Sequence, residues 1–184
     1  MTREGIQAEL TAILLAGADT ISSASCAVVV NVLRDRDSLG RILDEAKGLS
    51  SNRPALVYEK CPYFIACVKE SMRLYPSVPS IFPREVRGPL VVDGREIPIG
   101  TEIACNPWIV HRDRDVYGAD ADTWRPERWL DENLDKYNLG FGYGSRICLG
   151  RELGMLELIQ VTLTVWHDFL HRECLLICAV LNDV

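Results

Sequence analysis

Apolar residues fall at helical spacing almost from the start of the chain. Ile6, Leu10, Ile13, Leu14 and Gly17 share one face and Val28 and Val32 continue the repeat. Residues 3 to 34 are therefore predicted to form one long helix. The segment DSLGRILDEAK, residues 37 to 47, predicts a shorter amphipathic helix with Gly48 as its C-cap. SSNRPALVYEKCP reads as loop with room for a helical turn. Pro62 suits the first position of a third helix, which runs to about Leu74 and is stopped by Pro76 and Pro79.

The period then changes. PLVVDGREIPIG alternates apolar and polar positions around Asp93-Gly94, the pattern of a β-hairpin. TEIACNPWIV reads as another strand running into a helix start. Residues 111 to 140 are rich in Asp, Arg, Pro and Trp and show little periodicity. Irregular chain of that length is usually functional or tightly pinned. From Leu149 to Leu170 a last helix is expected, with Leu149, Leu153, Leu156, Ile159 and Leu163 as its apolar stripe. The tail HRECLLICAVLNDV takes no clear assignment, and there is no internal repeat. The expected fold class is mainly α with a small β-hairpin or sheet, in one domain over residues 1–184.

Composition narrows the function classes more than the fold. The chain has 184 residues, 48% apolar and 25% charged, enough for a hydrophobic core. Its 26 acidic residues outweigh 20 basic ones, a net charge of -6, which argues against nucleic acid as the main partner. The seven cysteines (26, 61, 67, 105, 148, 174 and 178) are odd in number and form no C-x-x-C pair, so a disulfide scaffold is not indicated. A reducing compartment is expected. Cys26, Cys67 and Cys105 stand among apolar neighbours and read as small buried residues. The N-terminus, MTREGIQAEL, lacks the apolar stretch of a signal peptide. Asp19 divides the longest apolar run, Ile13 to Leu33, which predicts a buried helix of a soluble domain rather than a membrane span.

Four short stretches carry candidate chemistry. In AGADT, residues 16 to 20, Ala16, Gly17 and Thr20 share one helix face that is small apart from a hydroxyl. Close helix packing explains such a face as well as a flat ligand does. Asp19 argues for the ligand, because a carboxylate within an apolar helix needs a partner or a task. Thr20 can also bond back to the Ala16 carbonyl. In ESMR, residues 70 to 73, Glu70 and Arg73 lie one turn apart and can pair. Such a pair is most often a solvated surface feature. It gains weight if a third group holds it in a buried network, and Arg128 in WRPERWL, between Trp124 and Trp129, is the candidate.

The fourth stretch is FGYGSRICLG, residues 141 to 150. A phosphate loop would follow a strand and end in Gly-Lys-Ser or Gly-Lys-Thr, and neither condition holds. A nucleophilic cysteine needs a base, and His111, His167 and His171 carry no motif linking them to it. A metal ligand fits best. Gly142, Gly144 and Gly150 leave room round Cys148, which stands just before a helix whose N-terminus favours a thiolate. A rival metal site, His167, His171, Cys174 and Cys178, would lie along one face of one helix, which cannot surround a tetrahedral ion.

Taken in order, the four stretches resemble the cytochrome P450 family of haem-thiolate monooxygenases. The haem loop F-x-x-G-x-R-x-C-x-G is met by Phe141, Gly144, Arg146, Cys148 and Gly150. The oxygen-activating motif A/G-G-x-D/E-T is AGADT, E-x-x-R is Glu70 and Arg73, and P-E-R-F is Pro126, Glu127 and Arg128 with Trp129 in place of Phe. The phrases CPYFIACVKESMRLYP and NPWIVHRDRDVYG look most like fungal members of secondary metabolism.

The resemblance implies haem b bound through Cys148 as axial iron ligand, with Phe141, Gly142, Gly144, Gly150, Ala16 and Gly17 around it. Arg146 and Arg84 would pair with haem propionates, and Thr20 and Asp19 would serve oxygen activation and proton relay. Glu70, Arg73 and Arg128 would be a structural triad, and Ala16, Val78, Pro79 and Ile81 would line the substrate side. The reaction implied is insertion of one oxygen atom from O2 into a small organic substrate, with electrons from NADPH through a reductase. The resemblance covers residues 1 to about 166, the C-terminal part of a family member. On that ground the expectation is that the N-terminal part is missing, including the endoplasmic-reticulum membrane anchor usual in full-length fungal relatives. Residues 167–184 diverge. The alternative to an active monooxygenase is a truncated, non-catalytic fragment of one.

Overall fold

The computed structural model describes residues 2–47, 57, 59–80, 82–131 and 133–171. Helix α1 spans Arg3–Arg34, 32 residues and about 48 Å. Thr2 starts it by accepting the Gly5 N–H at 3.2 Å, one of the donors a helix N-terminus leaves free. Asp35 both ends α1 and caps helix α2, Arg36–Ala46, by accepting the Asp37 N–H at 3.2 Å. Helix α3, Pro62–Leu74, has Pro62 in its first turn and no side-chain cap of its own. Glu45 at the end of α2 supplies the cap: its two oxygens accept Tyr63 N–H at 2.9 Å and Phe64 N–H at 3.0 Å. The expected Gly48 C-cap and most of the loop before α3 lie outside the described residues.

Two small antiparallel sheets follow. Strands β1 (Arg84–Glu85) and β4 (Glu102–Ile103) pair Arg84 with Ile103. Strands β2 (Leu90–Val92) and β3 (Arg95–Ile97) form the predicted hairpin, with Val92 opposite Arg95. At its tip Asp93 (φ 48°) and Gly94 (φ 75°) are both left-handed, as a two-residue turn matched to strand twist requires. The helix start expected in TEIACNPWIV is α4 (Pro107–Val110), and the stretch read as irregular contains further short turns: α5 (Arg114–Tyr117), α6 (Arg128–Asp131) and a 3-10 turn at Asp135–Tyr137. Four-residue turns are too short to show a hydrophobic period. The last helix, α7, spans Arg151–His171, so its expected start at Leu149 is two residues early.

The core lies where α1, α3 and α7 meet. It contains Ala24, Val28 and Val32 from α1, Ile42 from α2, Phe64, Cys67 and Val68 from α3, and Leu158, Ile159 and Trp166 from α7. Phe64 and Trp166 meet edge to face at 5.3 Å.

Three expectations of burial are corrected. The N-terminal half of α1 is open, with Ile6, Leu10, Ile13 and Leu14 exposed, so α1 is a core helix over its second half only. In α7, Leu149, Leu153 and Leu156 are exposed, whereas Met155, Leu158, Ile159, Leu163 and Trp166 are buried. Cys26 and Cys105 are exposed, unlike buried Cys61 and Cys67. Apolar neighbours in sequence place a residue in an element, not on its covered face. By length and composition α1 could cross a membrane, yet its second half is built into the core among helices of this chain.

The cross-helix cap gives a direct test. Glu45→Ala is expected to destabilise the chain by about 1 kcal/mol, read as a lower urea midpoint with an unchanged slope.

Candidate functional site

Glu70 and Arg73 stand on the buried face of α3, both fully shielded from solvent. Arg73 donates from Nε to Glu70 Oε2 and from Nη2 to Glu70 Oε1, each at 2.8 Å. Arg128 Nε reaches Glu70 Oε1 at 3.0 Å. The structure thus brings Glu70, Arg73 and Arg128 into one buried network. Two further donors complete it: the Arg125 N–H to Oε1 and the Trp129 indole N–H to Oε2, both at 2.9 Å. Trp129 replaces the phenylalanine of the motif, and a phenyl ring could not make this bond. Burial pushes the Glu70 carboxyl towards its neutral form, but hydrogen bonds and charge from Arg73, the Arg125 N–H and the Arg128 charge outweigh it. Its pKa is held below the ordinary value.

Other guanidinium N–H groups of the two arginines donate to backbone carbonyls. Arg73 donates to those of His111, Ala121 and Thr123. Arg128 donates to those of Tyr117, Asp120 and Thr123. His111, which sequence reasoning passed over, is fully buried here. Its Nε2 accepts the Leu139 N–H at 2.9 Å, and its Nδ1 faces the Arg73 carbonyl at 3.0 Å. A backbone N–H can only donate and a carbonyl can only accept, so the ring is neutral with its proton on Nδ1. Burial first, then the charges of Arg73 and Arg112, lower its pKa to about 4, against the opposing effect of the bond to Arg73. Both ring partners are main-chain groups, which carry no residue signature, so nothing in the sequence signalled this arrangement.

Two residues beyond Leu139 the cysteine loop begins. Phe141 is half-buried and packs against the core. Gly142 (φ 73°) and Gly144 (φ 69°) adopt left-handed backbone that a side chain would strain. A 3-10 turn spans Gly144–Arg146. The Gly142 N–H donates to Leu139 O and the Cys148 N–H to Phe141 O, both at 2.8 Å, so the loop folds back on its own start. Cys148 is an exposed free thiol three residues before the first residue of α7. Gly150 meets nothing that a Cβ would touch.

The other described site residues range from half-buried to exposed. Thr20 is half-buried, and its hydroxyl donates to the Ala16 carbonyl at 2.7 Å. Ser77, just past α3, donates to the Thr20 carbonyl at 2.8 Å and ties the segment carrying Val78 and Pro79 to α1. Ile81 lies outside the described residues. Ala16 and Asp19 are exposed and Gly17 is half-buried. Arg84 and Arg146 are exposed as well. Cys174 and Cys178 of the rival metal reading lie outside the described residues, as do the side chains of His167 and His171. Among the described residues no group of His, Cys, Asp and Glu is arranged to hold a metal ion.

A family model described as Cytochrome P450 matches residues 1–174. The chain belongs to the cytochrome P450 family. Cytochrome P450 monooxygenase cicH of Emericella nidulans is 42% identical to it over 158 residues, 79% of this chain and 32% of that protein. Quiannulatic acid synthase of Emericella variicolor is 34% identical over 168 residues, covering 83% of this chain and 33% of that protein. Pisatin demethylase of Fusarium vanettenii is 32% identical over 161 residues, covering 84% of this chain and 31% of that protein. The chain spans about a third of the length of these curated relatives. These cytochrome P450 relatives are fungal, in line with the resemblance in CPYFIACVKESMRLYP, and the mainly helical fold with two small antiparallel sheets suits part of the family's fold.

Two outcomes are expected of this cytochrome P450 network. Trp129→Phe removes one neutral donor from a buried carboxylate and costs about 2 kcal/mol, measured by urea unfolding. The pH dependence follows from His111. Above about pH 6.5 the imidazole is neutral in folded and unfolded chains alike. Between about pH 6.5 and the folded value of about 4 the unfolded chain binds a proton that the folded one refuses. Stability therefore falls as pH drops through that window, by up to about 1.4 kcal/mol per pH unit from this group. His111→Gln is expected to flatten the slope of stability against pH there.

Proposed function

We propose that this chain carries the cysteine loop and the oxygen-activation helix of a haem-thiolate monooxygenase of fungal secondary metabolism, with Cys148 as the ligand of the haem iron. The observation that carries the reading is the exposed Cys148 thiol, set at the end of a glycine loop whose backbone is fixed by its own hydrogen bonds. The surrounding donor set suits the group. Arg84 and Arg146 are exposed and form no ion pair among the described residues, which leaves both guanidiniums free for carboxylates such as the propionates. Exposed Leu14, Phe82 and Leu149 offer apolar surface to a flat macrocycle.

Haem held by a thiolate supplies O2 activation, the electron donation of sulfur favouring O–O cleavage. The residues of this chain would position and supply protons. Thr20 holds its hydroxyl over the small face of α1, with lone pairs left to accept a hydrogen bond while its own hydrogen rests on the Ala16 carbonyl. Asp19, exposed beside it, would take protons up from solvent. Val78 and Pro79 would border a small organic substrate, anchored through Ser77 to the same helix. NADPH, through a reductase, would provide electrons, and the fungal relatives suggest an endoplasmic-reticulum setting for the full-length enzyme.

A second reading has its own support. The exposed row of Ile6, Leu10, Ile13 and Leu14 leaves the α1 side of the site without a facing wall among the described residues. A chain of this extent would then hold the ligands without turning over substrate.

The 184-residue chain, supplied with haem, reduced and treated with carbon monoxide, is expected to show the red-shifted Soret band of thiolate ligation, and Cys148→Ser is expected to abolish it. Failure to take up haem, or an unchanged band in the variant, rules the reading out. A band with no turnover when reductase, NADPH and O2 are added selects the second reading.

A further inference from the structure

We propose that His111 is the positioning residue of the cysteine loop, an imidazole that ties the backbone leading to Cys148 to the buried arginine network. The proposal rests on reading that loop as the functional one. Its basis is a continuous path of hydrogen bonds. The Arg73 guanidinium donates to the His111 carbonyl, and the His111 ring, through Nδ1–H, donates back to the Arg73 carbonyl at 3.0 Å. The two residues are thus clasped at both main chain and side chain. From the far side of the ring, Nε2 accepts the Leu139 N–H at 2.9 Å. The Leu139 carbonyl then accepts the Gly142 N–H, and the Phe141 carbonyl accepts the Cys148 N–H, each at 2.8 Å. Buried ion network, ring, loop start and cysteine are therefore linked, and the ring is the only side chain in the path beyond Arg73.

The chemistry of the position favours imidazole. The ring must offer a donor to one main chain and an acceptor to another, from opposite corners of a rigid plane, without charge beside Arg73 and Arg112. Neutral histidine does this. Asparagine and glutamine also carry a donor and an acceptor, but both on one carbon, so each can serve one partner. Asparagine, the shorter, places its amide near Nδ1 and keeps the Arg73 bond. Glutamine reaches the Nε2 position and keeps the Leu139 bond. A residue that merely fills the core would not distinguish these two amides in the loop.

The test compares His111→Asn and His111→Gln in the full 184-residue chain. Two signals are read in each: hydrogen exchange of the amides over residues 139–148, and the rate of Cys148 alkylation by iodoacetamide. Exposed Cys26 and Cys105 and the α1 amides serve as internal references. His111→Asn is expected to speed loop exchange about five- to tenfold, the effect of one lost hydrogen bond, and to change Cys148 alkylation several-fold with the references unmoved. His111→Gln is expected to behave as the parent chain. Equal behaviour of the two variants in the loop overturns the proposal. So does an unchanged loop in His111→Asn, or loosening that reaches α1 and Cys26 as strongly as the loop. The readouts need no haem. Absent haem uptake with a selective loop response would sink the functional reading alone, and normal uptake with no such response would sink this one.

Discussion

Glu70 is a carboxylate with no exposure to solvent, and its two oxygens receive five donors. Taking an ion out of water costs several kcal/mol, and mutual attraction offsets that only where the hydrogen-bonding capacity is filled. Here it is filled, by two guanidiniums, a backbone N–H and an indole. The pairing leaves an excess of positive charge. Main-chain carbonyl oxygens and the Asp120 carboxylate, 3.4 Å from Arg128, absorb it. Such a network is poor in net stabilisation relative to an apolar core of the same shape. It is costly to break at any one member, so it acts as a fixed reference point for the segments attached to it.

Those segments are the irregular ones. Between His111 and Arg128 the chain has little regular structure, yet several of its carbonyls sit in buried or part-buried places and need donors. The arginines supply them: His111, Tyr117, Asp120, Ala121 and Thr123 all give carbonyl oxygens to Arg73 or Arg128. Helices and strands satisfy their backbone locally. This stretch satisfies it by converging on two side chains, and that is how a long connection stays ordered without periodicity. Trp124 adds a bond from its indole to Ser71 at 3.1 Å, so both tryptophans of WRPERWL anchor to α3 through a polar atom as well as by burial.

This division explains what the sequence disclosed. Periodicity placed α1, α2 and α3 to within a residue or two, and Asp93-Gly94 placed the hairpin, because local spacing and turn chemistry determine those elements. The motif residues Glu70, Arg73 and Arg128 were legible as types, and so was the loop around Cys148. Burial was less legible. Leu149 and Leu14 belong to apolar runs, but an apolar face records that something should cover it, not that the cover is among the described residues. Cys26 and Cys105 were misplaced for the same reason. His111 was invisible for a different one: its ring binds an N–H and a carbonyl, groups every residue owns, so only three-dimensional proximity singles it out.

The two elements proposed to face haem share one physical trait. Each is fixed by contacts other than its exposed atoms. The second half of α1 is held by Ala24, Val28 and Val32 in the core, and the Ser77 bond holds its backbone at Thr20. The cysteine loop is held by Phe141 against the same core and by its own backbone bonds. Burial and ion pairing therefore stabilise the scaffold at a distance from the open apolar surface of Leu14 and Leu149. Folding of this chain and ligand binding by it become separable quantities. A scaffold of this kind can keep the Cys148 thiol in place whether or not the opposite wall is present, since none of the described contacts that position Cys148 comes from that side.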